Sequence, residues 1–397
     1  MTAPTPPAKF RVLLVGNYLP DEQRSMQRFA TQLLDGLNAA GVAVEIFHPP
    51  VIAGRLKSGT QGLGKWLGYI DKYALSPIAL RCRIRKIQQP CVVHICDHSN
   101  AHYTSSLRHV PHLITCHDLL AVRSALGEFE QNRPSWTGRQ QQALIVRGLK
   151  RAQYICCVSA ATADDVARIA HTPSDRTEVI SNALDAAFLA EATSPTASQA
   201  AALPQLTELP QGARYCMHIG SGAWYKNRAT VLKLFASLAA QCADLQLLVV
   251  GPEFDADTLA ACQCDQLTKR IHTLTNLSDE QLRTLYSNAE LLLFPSLIEG
   301  FGWPILEAQA CGCPVLTLDR APMNTLNALQ SLNRQTATED WIEQAATECL
   351  QQLQLQDTAR TAQQSQLRTF AAKFTNQASV DAYLQTYQRL LAQPDSR

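Results

Sequence analysis

Eleven short apolar runs recur along this chain of 397 residues, and stretches with helical periodicity lie between most of them. One series sits at 12–16, 42–47, 92–96, 112–116, 154–159 and 178–181, a second at 215–220, 245–251, 271–275, 291–294 and 315–318. Amphipathic helices are expected at 26–40, 162–170, 229–241 and 279–288, the last opening on a capping box of Ser278 with Gln281. The runs are apolar nearly throughout instead of alternating with polar residues. Strands of that kind are buried on both faces, so the pattern predicts parallel sheets covered by helices on either side. With 46% hydrophobic residues, a chain of this length fills two cores of ordinary domain size.

The two series are separated by 191–212, rich in Ala, Thr, Ser, Gln and Pro and without apolar periodicity, which reads as a linker. The expected organisation is α/β, with one Rossmann-like, doubly wound domain at 1–190 and another at 213–375. Ligands of such folds bind at the carboxyl ends of the strands, so a central cleft faced by both domains is expected to hold the site. A last helix at 377–391 carries Val380, Tyr383, Leu384, Tyr387 and Leu391 on one face.

Residues 295–314 read P-S-L-I-E-G-F-G-W-P-I-L-E-A-Q-A-C-G-C-P. This segment sets Glu299 and Glu307 on either side of a glycine-rich turn that opens a helix. Pro304 suits the first helical position and Gly312 the position past the end. Gly300 and Gly302 let the backbone approach a ligand with its N–H groups free, and the helix start adds partial positive charge. Two acceptors and several donors at one turn suit a nucleotide-linked sugar. Residues 218–227, H-I-G-S-G-A-W-Y-K-N, precede another helix. Gly220 and Gly222 begin like a dinucleotide fingerprint, but Tyr225 occupies its third glycine position.

Together these strings resemble the retaining glycosyltransferases of family four, which have the GT-B fold. E-G-F-G, Pro, E-A and C-G-x-P-V fall in that family's order, with the two glutamates of its E-x7-E motif at Glu299 and Glu307. The resemblance implies that Glu299 contacts donor-sugar hydroxyls, that N–H groups around Gly300, Phe301 and Gly302 hold the sugar and phosphate, and that Glu307 accepts from the ribose. The 218–227 string is similar to the family's phosphate loop, in which Lys226 neutralises the departing diphosphate beside Gly220. Ser221 and Tyr225 stand where many members carry arginine, and Arg228 is the nearest residue able to supply that charge. The first loop keeps only Gly16 of a glycine pair; Asn17 follows it and tolerates left-handed backbone. His117, in T-C-H-D at the end of the fourth run, would sit beside the transferred sugar, with Asp118 orienting its ring. Val158-Ser159 and Ser181-Asn182-Ala183 match further strand-end motifs, Ala183 replacing a glycine. The family usually has an acid near Thr325. The resemblance also implies that 376–397 crosses back onto the first domain.

The activity implied is transfer of a hexose from a nucleoside diphosphate sugar to a glycan or lipid-linked acceptor in cell-surface polysaccharide synthesis, with no metal and no cofactor. The departures at Ser221, Tyr225, Ala183 and Thr325 leave open a silent nucleotide- or sugar-binding scaffold, and an epimerase or phosphorylase of the same fold also remains open. Net charge is +1, and no nucleic-acid reading module is present. The opening residues lack an apolar segment of signal-peptide length, and thirteen cysteines then point to a reducing cytoplasm. The cysteines lack zinc spacing, and His94, His98 and His102 fall across an expected strand end, so no metal site is expected. Residues 55–86 hold eight basic residues and one acid, interleaved with Trp66, Tyr69 and Tyr73. That composition fits either a solvated cationic helix face or peripheral contact with the cytoplasmic face of an anionic membrane.

Overall fold

The computed structural model describes residues 10–56, 62–189, 213–336 and 340–392. The linker expected at 191–212, and positions 57–61 of the basic segment, lie outside the described residues. The chain forms two compact units, one made of Met1–Ala183 with Asn376–Arg397, the other of Leu184–Thr375.

The first unit holds strands β1 (Arg11–Val15), β2 (Ala43–Phe47), β3 (Cys91–Ile95), β4 (His112–Cys116), β5 (Tyr154–Cys157) and β6 (Thr177–Val179). Its helices are α1 (Arg24–Ala39), α2 (Gly62–Ile70), α3 (Ser76–Arg85), α4 (Leu120–Ala125), α5 (Trp136–Arg151) and α6 (Ala160–Ala170). All strands are parallel, in the order β2-β1-β3-β4-β5-β6. Leu13, Val15, Val93, Ile95, Ile114 and Ile155 are fully buried in one core cluster. The apolar runs thus became inner strands because helices cover both sheet faces.

The second unit holds α7 (Ala186–Leu189), β7 (Tyr215–Ile219), α8 (Arg228–Gln241), β8 (Gln246–Val250), α9 (Ala256–Ala261), β9 (Ile271–Leu274), α10 (Asp279–Asn288), β10 (Leu291–Phe294), α11 (Trp303–Ala310), β11 (Val315–Leu318), α12 (Met323–Leu326), β12 (Asn333–Arg334), α13 (Trp341–Leu353) and α14 (Asp357–Ala371). Its parallel sheet runs β12-β11-β10-β7-β8-β9. This is the doubly wound dinucleotide order, in which the chain winds outward from β7 and then returns to β7's other side with β10. The Ser278–Gln281 capping box forms in full at the start of α10. Two residues of β12 went unforeseen: buried Asn333 holds that edge through Thr317 and Asn327, not through apolar periodicity.

The last helix, α15 (Asn376–Ala392), belongs to the first unit. A buried polar chain fixes it there. His94 shares one ring nitrogen with the Tyr387 hydroxyl at 2.7 Å and the other with Thr115 Oγ1 at 2.7 Å, and Thr115 meets the Tyr383 hydroxyl at 3.0 Å. Asn376 donates to the carbonyl of Gln32 on α1 at 3.0 Å. Among the described residues no helix is long and apolar enough to cross a membrane.

Burial holds several histidines neutral. It drives His94 down to about 3, with His117 nearby adding to the effect, and drives His102 and His218 each down to about 4. The unfolded chain takes up these protons near pH 6.5 and the folded chain does not. Stability therefore falls as pH drops from about 6.5 towards 4, by about 1.4 kcal/mol per pH unit for each histidine kept neutral. Urea midpoints measured from about pH 7 to about pH 5 should decline steadily; a flat profile would mean these imidazoles protonate in place.

Candidate functional site

At the β7/β10 junction the chain leaves the sheet in two loops, 220–227 and 295–302, on either side of the point where the winding reverses. Doubly wound folds bind ligands at this position. Backbone geometry brings the two loops together. The Leu297 N–H donates to the Tyr225 carbonyl at 2.7 Å, and the Asn227 side-chain amide donates to the Pro295 carbonyl at 3.0 Å. Asn227 adopts left-handed backbone, φ 54°, and passes directly into α8. Lys226, just before it, places Nζ 2.7 Å from Glu299 Oε1. Their side chains are 13% and 12% exposed, so the pair is shielded yet reachable. The ammonium also lies 5.2 Å from the Phe294 ring centre.

Glycine geometry keeps the loop close to the sheet. The Gly220 N–H donates to the Val250 carbonyl at 3.1 Å, and Gly251 sits opposite with φ +149°. A Cβ on Gly251 would lie 2.1 Å from the Gly220 carbonyl oxygen. Ser221 is exposed, and its hydroxyl accepts from the Ala223 N–H at 3.4 Å. Arg228 turns away: its guanidinium covers the Phe254 ring at 4.1 Å and donates to the carbonyls of Pro252 and Glu253. His218 is buried at the end of β7, donates from Nδ1 to the Leu293 carbonyl at 3.0 Å, and leaves Nε2 without a hydrogen bond. It was missed in the sequence, although a polar residue inside an apolar run is a usable signal.

On the β10 side, Gly302 has φ +116° and forms the N-cap of α11. Pro304 occupies the second helical position, not the first, because Trp303 begins the helix. Gly312 follows the helix in left-handed backbone, φ +83°. The Phe301 side chain is buried, its ring centre 6.0 Å from that of Trp303 and 6.4 Å from that of Phe374. Glu307, 3% exposed, lies on the buried side of α11.

The first unit carries its own polar cluster at its winding reversal, between β1 and β3. Gly16 fits against His48, whose ring a Cβ would meet at 2.8 Å. Asn17 does not take the left-handed backbone its type permits. Its buried amide instead donates to Asp97 Oδ2 at 2.6 Å and to Gln23, because the β3 loop puts a carboxylate beside it. Asp97 also accepts from the Ser99 N–H at 3.0 Å and lies 3.2 Å from His98. Burial pushes this carboxyl up, but His98, His117 and the Ser99 bonds outweigh it and hold it below the ordinary value. Asp97 directly follows the third apolar run, so the strand-end rule that singles out His117 would have found it.

His117 follows β4 and is buried. Its Nε2–H donates to the Cys96 carbonyl at 2.9 Å, and its ring meets Phe29 edge-on at 4.7 Å. These contacts orient the ring, while Asp118 accepts the Leu120 N–H at 2.9 Å. Burial lowers the His117 pKa more than Asp97 raises it, so the neutral imidazole presents a bare Nδ1 acceptor. Ser159 caps α6, and the buried Asn182 Oδ1 has no partner. Among the described residues no group of three or more His, Cys, Asp or Glu is placed to hold a metal ion.

Residues 26–188 match the family described as Glycosyltransferase Family 4, and residues 201–330 match Glycosyl transferases group 1. The serotype-specific mannosyltransferase WbdA of Escherichia coli is 30% identical over a match covering 51% of this chain and 25% of that protein. The O-antigen chain mannosyltransferase B of E. coli is 28% identical, with 45% of this chain and 46% of that protein covered. The matched stretch is thus between a quarter and a half of the length of these relatives. Among solved structures, sucrose-phosphate synthase from Thermosynechococcus elongatus aligns with a TM-score of 0.71 at 19% identity, covering 97% of this chain and 100% of that one. Anabaena HepE, solved in complex with UDP and glucose, aligns with a TM-score of 0.65 at 15% identity, covering 96% and 99%. At such identities the likeness is one of fold.

Gly251→Ala forces both an unfavourable φ and a collision with the Gly220 carbonyl. It should cost about 1–3 kcal/mol in urea unfolding. Wild-type stability would mean the glycine loop gives way freely.

Proposed function

The chain belongs to the glycosyltransferases of group 1 and family 4 and has their GT-B fold, and from that premise we propose that it is a retaining hexosyltransferase using a nucleoside diphosphate sugar. The observation that carries the reading is the Lys226–Glu299 pair, 2.7 Å apart between two glycine loops at the β7/β10 reversal. A cation beside a glycine-loop backbone and a helix start suits a diphosphate, and a carboxylate beside it suits sugar hydroxyls. One charge-assisted hydrogen bond from Lys226 to the diphosphate contributes about 1.5–3 kcal/mol.

In this reading Lys226 and the N–H groups of Ser221, Phe301 and Gly302 stabilise the leaving diphosphate, Gly220 and Gly300 let the backbone come close to the donor, and no metal or other cofactor takes part. Glu299 binds donor-sugar hydroxyls, and Glu307 accepts from the ribose. Gly16 and Asn17 form the first-unit loop that accommodates the donor. Arg228 supplies the charge that Ser221 and Tyr225 lack only by leaving the Pro252 and Glu253 carbonyls. His117, neutral and with Nδ1 bare, accepts a hydrogen bond from a substrate hydroxyl. The bond from the sugar's anomeric carbon to the diphosphate breaks as the acceptor oxygen bonds on the same face. The acceptor's proton passes to the leaving phosphate oxygen.

The names of the mannosyltransferase relatives support mannose as the hexose and a growing surface glycan or its lipid-linked precursor as acceptor. A cytoplasmic enzyme resting on the membrane follows from such an acceptor.

A thermal-shift panel of nucleoside diphosphates and their mannose and glucose conjugates should show one selective stabiliser. Lys226→Ala and Glu299→Ala should each lower transfer by about 10²–10³. Selective binding without any turnover would favour a silent scaffold, and near wild-type turnover in either variant would remove the assignment.

A further inference from the structure

We propose that the outward face of 62–85, spanning α2 and α3 of the first unit, docks on an anionic lipid bilayer and lies in its interface without crossing it. The proposal rests on the lipid-linked acceptor of the reading above and gives that acceptor's membrane a landing surface.

An ordinary surface helix buries its bulky apolar residues and shows its small and polar ones. Helix α2 does the reverse. Its buried residues are Gly64 and Gly68, while Leu63, Trp66 and Ile70 are 59%, 57% and 47% exposed. A Cβ on Gly68 would meet the Tyr18 ring at 3.4 Å, so the helix backbone lies close against Tyr18 on its inner side. After a wide π turn at Asp71–Leu75 the stripe continues on α3 with Ile78, 58% exposed. Exposed positions recur at 63, 66, 70, 74 and 78, one helical face over most of the segment.

The segment cannot roll over to hide this face. Asp71, the sole acid between 62 and 86, is buried. It accepts the N–H groups of Ile52 at 3.1 Å, Ala53 at 2.8 Å and Gly54 at 2.9 Å, and the Tyr18 hydroxyl at 2.8 Å. Burial pushes the carboxyl up, but these bonds together hold it below the ordinary value, so it stays an anchored anion.

The charge around the stripe selects the partner. Lys65, Arg81, Arg85 and Lys86 are exposed and form no ion pair with a described residue, whereas Lys72 pairs with Asp21 and Arg83 with Glu45. Exposed cations outside ion pairs beside an apolar face, with the segment's own acid turned inward, match an anionic headgroup layer over acyl chains. Trp66 and Tyr69 meet edge to face at 5.7 Å, and Tyr69 meets Tyr73 at 5.5 Å, a row suited to the headgroup level. A second copy of this chain would bring the same cations against themselves.

The full chain and its Trp66→Glu/Ile70→Glu variant can be sedimented with vesicles of phosphatidylglycerol mixed with phosphatidylcholine, and with phosphatidylcholine alone. The wild type should pellet with the anionic vesicles and release in high salt. The variant should bind at least about tenfold more weakly, with an unchanged circular dichroism spectrum. Equal binding of the two proteins, or no binding by the wild type, overturns the proposal. So does light scattering that shows a wild-type dimer, dissolved by the variant, in place of vesicle binding. Transfer to a water-soluble acceptor should be unaffected by the variant. Vesicle binding without transfer in either protein would sink the enzyme reading and leave the docking surface standing.

Discussion

Parallel pairing of β7 with β10 is the constraint on which the second unit's site depends. The register sets Cys216 beside Leu291 and Met217 beside Leu292, so two loops far apart in sequence leave the sheet at one edge. Nothing local in either loop would hold Lys226 against Glu299. The strand pair brings the loops together, two hydrogen bonds onto backbone carbonyls lock them, and only then do the ammonium and carboxylate meet at low exposure. A slip of one residue would turn every β10 side chain to the other face and remove Phe294 from beneath the ammonium.

The two units differ in what they offer a ligand. The second presents donors and a cation: glycine-loop N–H groups, a helix start and Lys226. Unsatisfied acceptors mark the first, at the ends of its strands: Asn17 Oδ1, His117 Nδ1 and Asn182 Oδ1. Bare lone pairs in a buried setting are costly unless a donor arrives, and hydroxyl-rich molecules bring many.

Most of this architecture could be read from the residues, because inner strands of parallel sheets are nearly all apolar and their lengths are short. His112–Cys116, Leu291–Phe294 and Val315–Leu318 formed strands with the expected bounds. What escaped was held by polar contacts without periodicity. The edge strand β12 depends on buried Asn327 and Asn333, and nothing in a two-residue segment signals that. Asn17 suggested a tight turn by its type, yet a carboxylate from a distant loop determined its role. Asp97 ends a strand-like run as His117 does, and that position is its one signal in the sequence. Arg228 looked from sequence like a substitute phosphate ligand, but an aromatic ring and two carbonyls one loop away occupy its guanidinium.

Helix α15 has a consequence for how the chain matures. Its hydroxyls complete the hydrogen bonds of His94 and Thr115, two side chains in the middle of the first sheet. During synthesis those partners emerge from the ribosome only after the whole second unit. The amino-terminal half therefore waits with polar gaps in its core while the half made later closes first. Nascent chains stalled before α15 would expose the older unit, not the younger one, to chaperones and proteases.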